Sequence, residues 1–141
     1  MNTPYFGYLL HTRPFRETSI LADIFTSHQG KLTVVARGVK KSKDLRVALF
    51  PFQKLRISLS GRGELRNISL LEQEGSAIGL TSLSLYCGYY VNELLLRLLS
   101  PGEACTELFN HYEFAVRRLA CLGDAQRRDV EVCLREFEFC L

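Results

Sequence analysis

The side chains capable of chemistry fall into three groups with different spacing. The histidines are His11, His28 and His111, and the cysteines are Cys87, Cys105, Cys121, Cys133 and Cys140. A structural zinc site would bring two closely spaced Cys or His pairs. No Cys-x-x-Cys occurs, and the odd number of thiols fits a reducing compartment rather than a disulfide framework. Their apolar neighbours let all five cysteines read as small hydrophobes. His11, Glu17 and Asp23 could form an acid–base or metal cluster if neighbouring strands carried them, but no spacing signature supports that, so ordinary strand and turn roles are expected. Gly38 and the Gly61-x-Gly63 pair are turn glycines outside any Walker or dinucleotide fingerprint. No thiol has a motif-linked His base. The expectation is a chain with no catalytic residue, no metal and no cofactor.

The third group is cationic. Between Lys31 and Arg66 lie Lys31, Arg37, Lys40, Lys41, Lys43, Arg46, Lys54, Arg56, Arg62 and Arg66, against only Asp44 and Glu64. Such a surplus repels itself in the folded state, so it points to an anionic partner, of which a polyphosphate backbone is the commonest. The alternative is a solvated basic face without a partner. Residues 1–80 carry a formal charge of +6 and residues 81–141 one of −3, within a total of +3. The two halves therefore have different work. Aromatics are interleaved with the cations: Tyr5, Phe6, Tyr8, Phe15, Phe25, Phe50 and Phe52 stand beside Arg13, Arg16 and the central band. Bases stacking on rings while Lys and Arg follow phosphates is how a sequence-tolerant single-strand binder works. Half of those rings should nonetheless be core, Phe25 and Phe50 among them.

The elements that must position these residues follow from periodicity. Phe6 to Arg13 reads as a strand, with Pro14 at its end or at a bulge because it lacks an amide hydrogen. Ser19 to Thr26 and Lys31 to Arg37 alternate next, joined by Ser27-His28-Gln29-Gly30 as a hairpin turn. Apolar residues on both faces suit a closed or strongly curled sheet. Val39 to Arg46 has four cations and little periodicity, and reads as a mobile loop. Gln53 to Ser60 alternates most cleanly, with Leu55, Ile57 and Leu59 inward and Lys54, Arg56 and Ser58 outward. Gly61-Arg62-Gly63 then turns the chain into a fifth strand, Glu64 to Glu72. Five curled strands with a basic loop between the third and fourth match an OB-fold barrel, with an SH3-like barrel of similar strand count as the alternative.

At Gly75 the period changes from two to 3.6. Thr81 or Ser82 can cap a helix carrying Leu83, Tyr86, Cys87, Tyr90, Val91, Leu94, Leu95, Leu98 and Leu99, closed by Pro101-Gly102. A second helix begins near Thr106 and runs to Gly123 as its C′ residue. Asp124 caps a third, whose apolar face includes Val130, Cys133, Leu134, Phe137 and Leu141. That face is still running at Leu141, so the pattern predicts a continuation or a partner surface. The fold class expected is α+β: residues 1–78 as a five-stranded OB-fold DNA-binding domain, and residues 79–141 as an incomplete α-helical domain. No secretory signal or membrane-length apolar run is present, and a cytoplasmic protein is expected.

Specific residues add what pattern cannot. The run Gly7-Tyr8-Leu9-Leu10-His11-Thr12-Arg13-Pro14-Phe15-Arg16-Glu17-Thr18-Ser19 resembles the N-terminal strand of the RecO family of bacterial recombination mediators. Gly30-Lys31-Leu32, Ala36-Arg37-Gly38, Pro51-Phe52-Gln53 and Ser60-Gly61-Arg62-Gly63-Glu64-Leu65 continue the resemblance, as does Tyr86 to Leu99. The order and spacing of these segments carry it over essentially the whole chain. The resemblance implies an OB-fold that binds single- and double-stranded DNA, strand annealing, help in loading RecA, association with RecR and contact with the tail of single-stranded DNA-binding protein.

On this reading the bound strand crosses the barrel. Arg37, Lys40, Lys41, Lys43 and Arg46 are the expected phosphate contacts, with Arg13, Arg16, Lys54, Arg56, Arg62 and Arg66 as secondary ones. The unfinished helical face is expected to allow a homodimer. The competing class is a protein-interaction adaptor whose helical half docks a partner while the basic loop is soluble surface.

Overall fold

A computed structural model describes residues 4–39, 42–63, 65–75, 78–122 and 127–141. Five strands come first: β1 (Tyr5–Phe15), β2 (Ser19–Thr26), β3 (Gly30–Ala36), β4 (Lys54–Ser60) and β5 (Arg66–Gln73). They close in the order β1-β2-β3-β5-β4, with β1 also pairing β4. All pairings are antiparallel except β3 with β5, which meet in parallel at Val34↔Arg66 and Val35↔Asn67. This closed five-stranded barrel is an OB-fold.

Alternation along the strands builds two cores rather than one. Leu9, Ala22, Ile24, Val34, Ala36, Leu55, Ile57 and Leu59 fill the barrel. Tyr8, Leu10, Phe25 and Phe52 point the other way and join a second cluster with the helices. Burial on both sides of β1 and β2 thus has a physical basis: one face lines the barrel and the other supports a helical layer. A register shift between Leu9 and His11 marks a bulge in β1, while Pro14 sits next to the strand end, opposite Ile20. Ser58, expected outward, is buried, and the β4–β5 register shifts just after it.

The turn after β2 is tight. Gly30 adopts φ +69°, and a Cβ there would stand 2.3 Å from the Glu103 carbonyl oxygen, so the loop before Thr106 can approach this closely only over glycine.

The segment expected as a mobile loop contains a helix instead. In α1 (Lys43–Ala48) the Ser42 hydroxyl accepts from the Leu45 amide at 3.4 Å, and Asp44 occupies the first turn. Val39 and Leu49 are buried in the barrel core and Leu45 packs against it, which anchors the segment at three points. Charge density concealed these apolar anchors.

The remaining helices are α2 (Ser82–Leu98), α3 (Thr106–Leu122) and α4 (Arg127–Phe139). Thr81 takes the N-cap position of α2 without a side-chain capping hydrogen bond. Gly123 and Asp124, expected as cap residues, lie outside the described residues. The helical core joins Val91 and Leu95 of α2 to Leu108, Phe109, Tyr112, Val116 and Leu119 of α3 and to Val130, Cys133 and Phe137 of α4. Tyr112 stacks edge-on against both Tyr8 and Phe25, at 5.2 and 5.8 Å, and its hydroxyl donates to Asn92 Oδ1 at 2.6 Å. Cys87 and Cys133 are buried in this core, whereas Cys105 and Cys121 are exposed, contrary to their expected burial as small hydrophobes.

Candidate nucleic-acid interface

Barrel topology gathers part of the basic set at the β1–β2 turn and the end of β3. The pair Ile20↔Ala36 sets Arg37, the next residue of the chain, beside the turn that carries Arg16. Arg16 lies over the Phe15 ring at 5.0 Å and Arg37 is exposed. Arg13 projects from β1 with half its side chain in solvent, 3.8 Å from Asp23 Oδ1. Lys43 and Arg46 are exposed on α1, which continues from the end of β3. Lys40 and Lys41 fall outside the described residues.

A second group of cations lines a groove of about 900 Å³. Its walls are the first half of β3, the β4–β5 turn and Pro101-Gly102. It forms because β3 and β5 pair over only two residues before the β4–β5 turn diverges from β3. Lys31, Arg62 and Arg66 line it, and no carboxylate appears among its described lining residues. Lys31, which charge counting placed in the basic band but not among the expected contacts, belongs here. Its Nζ donates to the Leu96 carbonyl at 2.8 Å, tying the groove to the C-terminal turn of α2.

Lys54 and Arg56 are engaged elsewhere. Lys54 Nζ stands 2.9 Å from Glu113 Oε2 and 4.9 Å from the centre of the Phe6 ring. Tyr8 donates to the same Glu113 oxygen at 2.7 Å, and Arg117 approaches the other at 3.9 Å. Burial pushes the Glu113 carboxyl up, but the hydrogen bonds from Lys54 and Tyr8 and the charges of Lys54 and Arg117 outweigh it and hold it below its ordinary value. Burial, then the bond to Glu113, raises the Tyr8 phenol far above its usual range. Arg56 lies 3.8 Å from Glu72 across the β4–β5 pair.

The aromatic platform expected from sequence is largely absent from the surface. Tyr8, Phe25 and Phe52 are core residues beneath the helices. Phe50, expected inside, is 57% exposed, while Phe52 takes the buried place at 3%. Phe50 and Phe52 are two residues apart, a spacing that would set both on one face of a regular strand, and the positive φ of Phe52 (+68°) breaks that regularity, so its ring turns inward while Phe50 stays out. His11 and Asp23 are register partners, yet Asp23 Oδ1 accepts the Thr33 hydroxyl at 2.5 Å and faces Arg13, and Glu17 is an exposed turn residue. No cluster of three or more potential metal ligands occurs among the described residues. None of the described helices is long and apolar enough to cross a membrane.

Comparison with known proteins agrees with this geometry. The family profile described as "Recombination protein O N terminal" matches residues 1–76. "DNA repair protein RecO" of Methylococcus capsulatus is 43% identical over 136 residues, covering 96% of this chain and 54% of that protein. The protein of the same name from Alteromonas mediterranea is 44% identical over 136 residues, 96% of this chain and 56% of its own length. That from Actinobacillus pleuropneumoniae is 39% identical over 134 residues, 94% and 54% respectively. The chain spans about half the length of the curated relatives it matches. With an OB-fold barrel formed by the matched segment, the chain belongs to the RecO family.

Proposed function

We propose that this chain is a non-enzymatic DNA-binding and strand-annealing factor in recombinational DNA repair, acting in the bacterial cytoplasm at the nucleoid and assisting RecA loading on single strands. Residues 1–78 serve as the DNA-binding unit and residues 79–141 as the helical unit. The observation that carries the reading is the groove of Lys31, Arg62 and Arg66, with no carboxylate among its described lining residues, together with the exposed cations Arg16, Arg37, Lys43 and Arg46. Phosphate contacts from such residues are independent of sequence and serve single and double strands alike. Neutralising phosphates on two complementary strands lowers their repulsion, which is the physical basis of annealing. Lys40 and Lys41 complete the proposed contact set, and Arg13, Lys54 and Arg56 have a lesser part because each faces a carboxylate.

Family membership supports association with RecR and with the tail of single-stranded DNA-binding protein. A labelled oligonucleotide titrated at about 50 and 200 mM salt tests the central claim: affinity falls roughly tenfold or more between them if several phosphates are neutralised. Absence of binding at the lower salt refutes it.

A second reading, a protein-interaction adaptor, is favoured by the exposed apolar residues Leu83, Tyr86 and Tyr90 on α2 and Phe139 on α4. The same face would serve a homodimer. Charge reversal at Lys40, Lys41 and Lys43 separates the readings, since a DNA binder loses affinity broadly and an adaptor keeps its partner. Light scattering at micromolar concentration tests the dimer.

A further inference from the structure

From the position of Phe50 we infer that its ring is a base-stacking residue for single-stranded nucleic acid. This rests on the DNA-binding reading and deepens it: cations explain why phosphate is held, but not how an unpaired base is accommodated.

Phe50 is fixed in place yet left open. On one side Leu49 is buried in the barrel core, and on the other Pro51 bridges to Leu9 of β1. The Phe50 amide donates to the Ala48 carbonyl at 3.0 Å. The backbone is therefore held on both sides of a ring that remains 57% exposed. A flat apolar surface presented by an anchored backbone has little ordering entropy left to lose on stacking.

Its surroundings specify the chemistry of the occupant. Lys43, Arg46 and Val47 on the preceding helix α1 are exposed as it is, with Asp44 the one anion of that helix, while Glu93 of α2 lines a pocket with the flanking Leu49 and Pro51. Apolar surface bordered by cations complements a nucleotide strand, which presents flat bases and anionic phosphates together. The other aromatic candidates on the barrel are engaged. Lys54 covers Phe6 at 4.9 Å, Arg16 covers the half-buried Phe15 at 5.0 Å, Tyr5 packs against the barrel core, and Tyr8, Phe25 and Phe52 are buried. No cation or ring among the described residues lies over Phe50. The exposed rings on the helices stand in the acidic half of the chain, and Tyr90 already donates to Glu138.

The test uses oligothymidylate and an abasic oligomer with the same number of phosphates. The chain has no tryptophan, so Phe50→Trp introduces a single emission reporter at the site. Base stacking predicts that Phe50→Ala weakens oligothymidylate binding about 5- to 100-fold. Affinity for the abasic strand and the salt slope stay as in the wild type, and the emission of Phe50→Trp is quenched by oligothymidylate and not by the abasic strand. Unchanged oligothymidylate affinity in Phe50→Ala, or equal responses of Phe50→Trp to both strands, overturns the inference while leaving the DNA-binding reading standing. Failure of the wild type to bind either strand overturns both.

Discussion

The Tyr8 phenol donates a 2.7 Å hydrogen bond to Glu113 Oε2, joining β1 to α3 across 105 residues of sequence. Lys54 of β4 shares that oxygen at 2.9 Å. Two strands of the barrel are thereby fastened to one helix through a single carboxylate, and a cation that composition alone would assign to DNA is drawn into the junction.

Replacing Glu113 by Gln should destabilise the fold by about 1–3 kcal/mol, because the partly buried Lys54 ammonium loses its counter-charge. The effect depends on pH in a defined direction. The Glu113 carboxyl is held below its ordinary value of 4.5, so its contribution is present above that pH and is lost as pH falls through the lowered folded-state value. Urea unfolding of both forms from neutral pH downward should show the gap closing only on the acid side of 4.5.

Lys54→Ala and Arg37→Ala should separate structure from binding. The first should lower the urea midpoint and leave the salt slope of oligonucleotide binding unchanged, because its charge is committed to Glu113. The second should leave stability within about 0.5 kcal/mol and reduce the salt slope by about one phosphate equivalent. Equal losses of DNA affinity in the two variants would make Lys54 a full phosphate contact.

Phe52→Ala should cost about 3–5 kcal/mol, since the ring is 3% exposed and stacks edge-on against Tyr89 at 5.4 Å. Phe50→Ala should change the same midpoint hardly at all. Similar losses from both would contradict the opposite orientations of these two rings.

Gly88 of α2 marks the closest approach of that helix to Phe52. A Cβ there would stand 2.7 Å from both Phe52 Cζ and Leu80 Cδ1. Gly88→Ala should therefore destabilise by about 1–3 kcal/mol through overpacking, in spite of alanine's higher helix propensity. A rise in melting temperature would show that Leu80 and Phe52 can move aside.

Local pattern carried much of the architecture. Strict alternation in Ile20, Ala22 and Ile24, and in Leu55, Ile57 and Leu59, placed the strands and their inward faces, because side-chain period in a strand is a backbone property. The shift to 3.6-residue spacing after Gly75 located the helices for the same reason. Periodicity failed between Val39 and Phe52, where α1 is short and its anchors Leu45 and Leu49 are too few to show a period. The exposed ring of Phe50 and the buried ring of Phe52 were beyond it as well, since a two-residue spacing predicts a shared face and the positive φ of Phe52 that separates them leaves no mark in residue type.

The sequence by itself determined the strand and helix inventory, the division of charge between the halves and the family resemblance, all of which depend on residue type and spacing. Only the tertiary structure decided which cations remain open. Lys54 and Arg62 belong to the same basic band, yet one meets Glu113 and the other lines a groove with no described carboxylate. Coulomb energy falls off with distance in space, not along the chain, so a carboxylate many residues away can commit a lysine that its neighbours in sequence leave free.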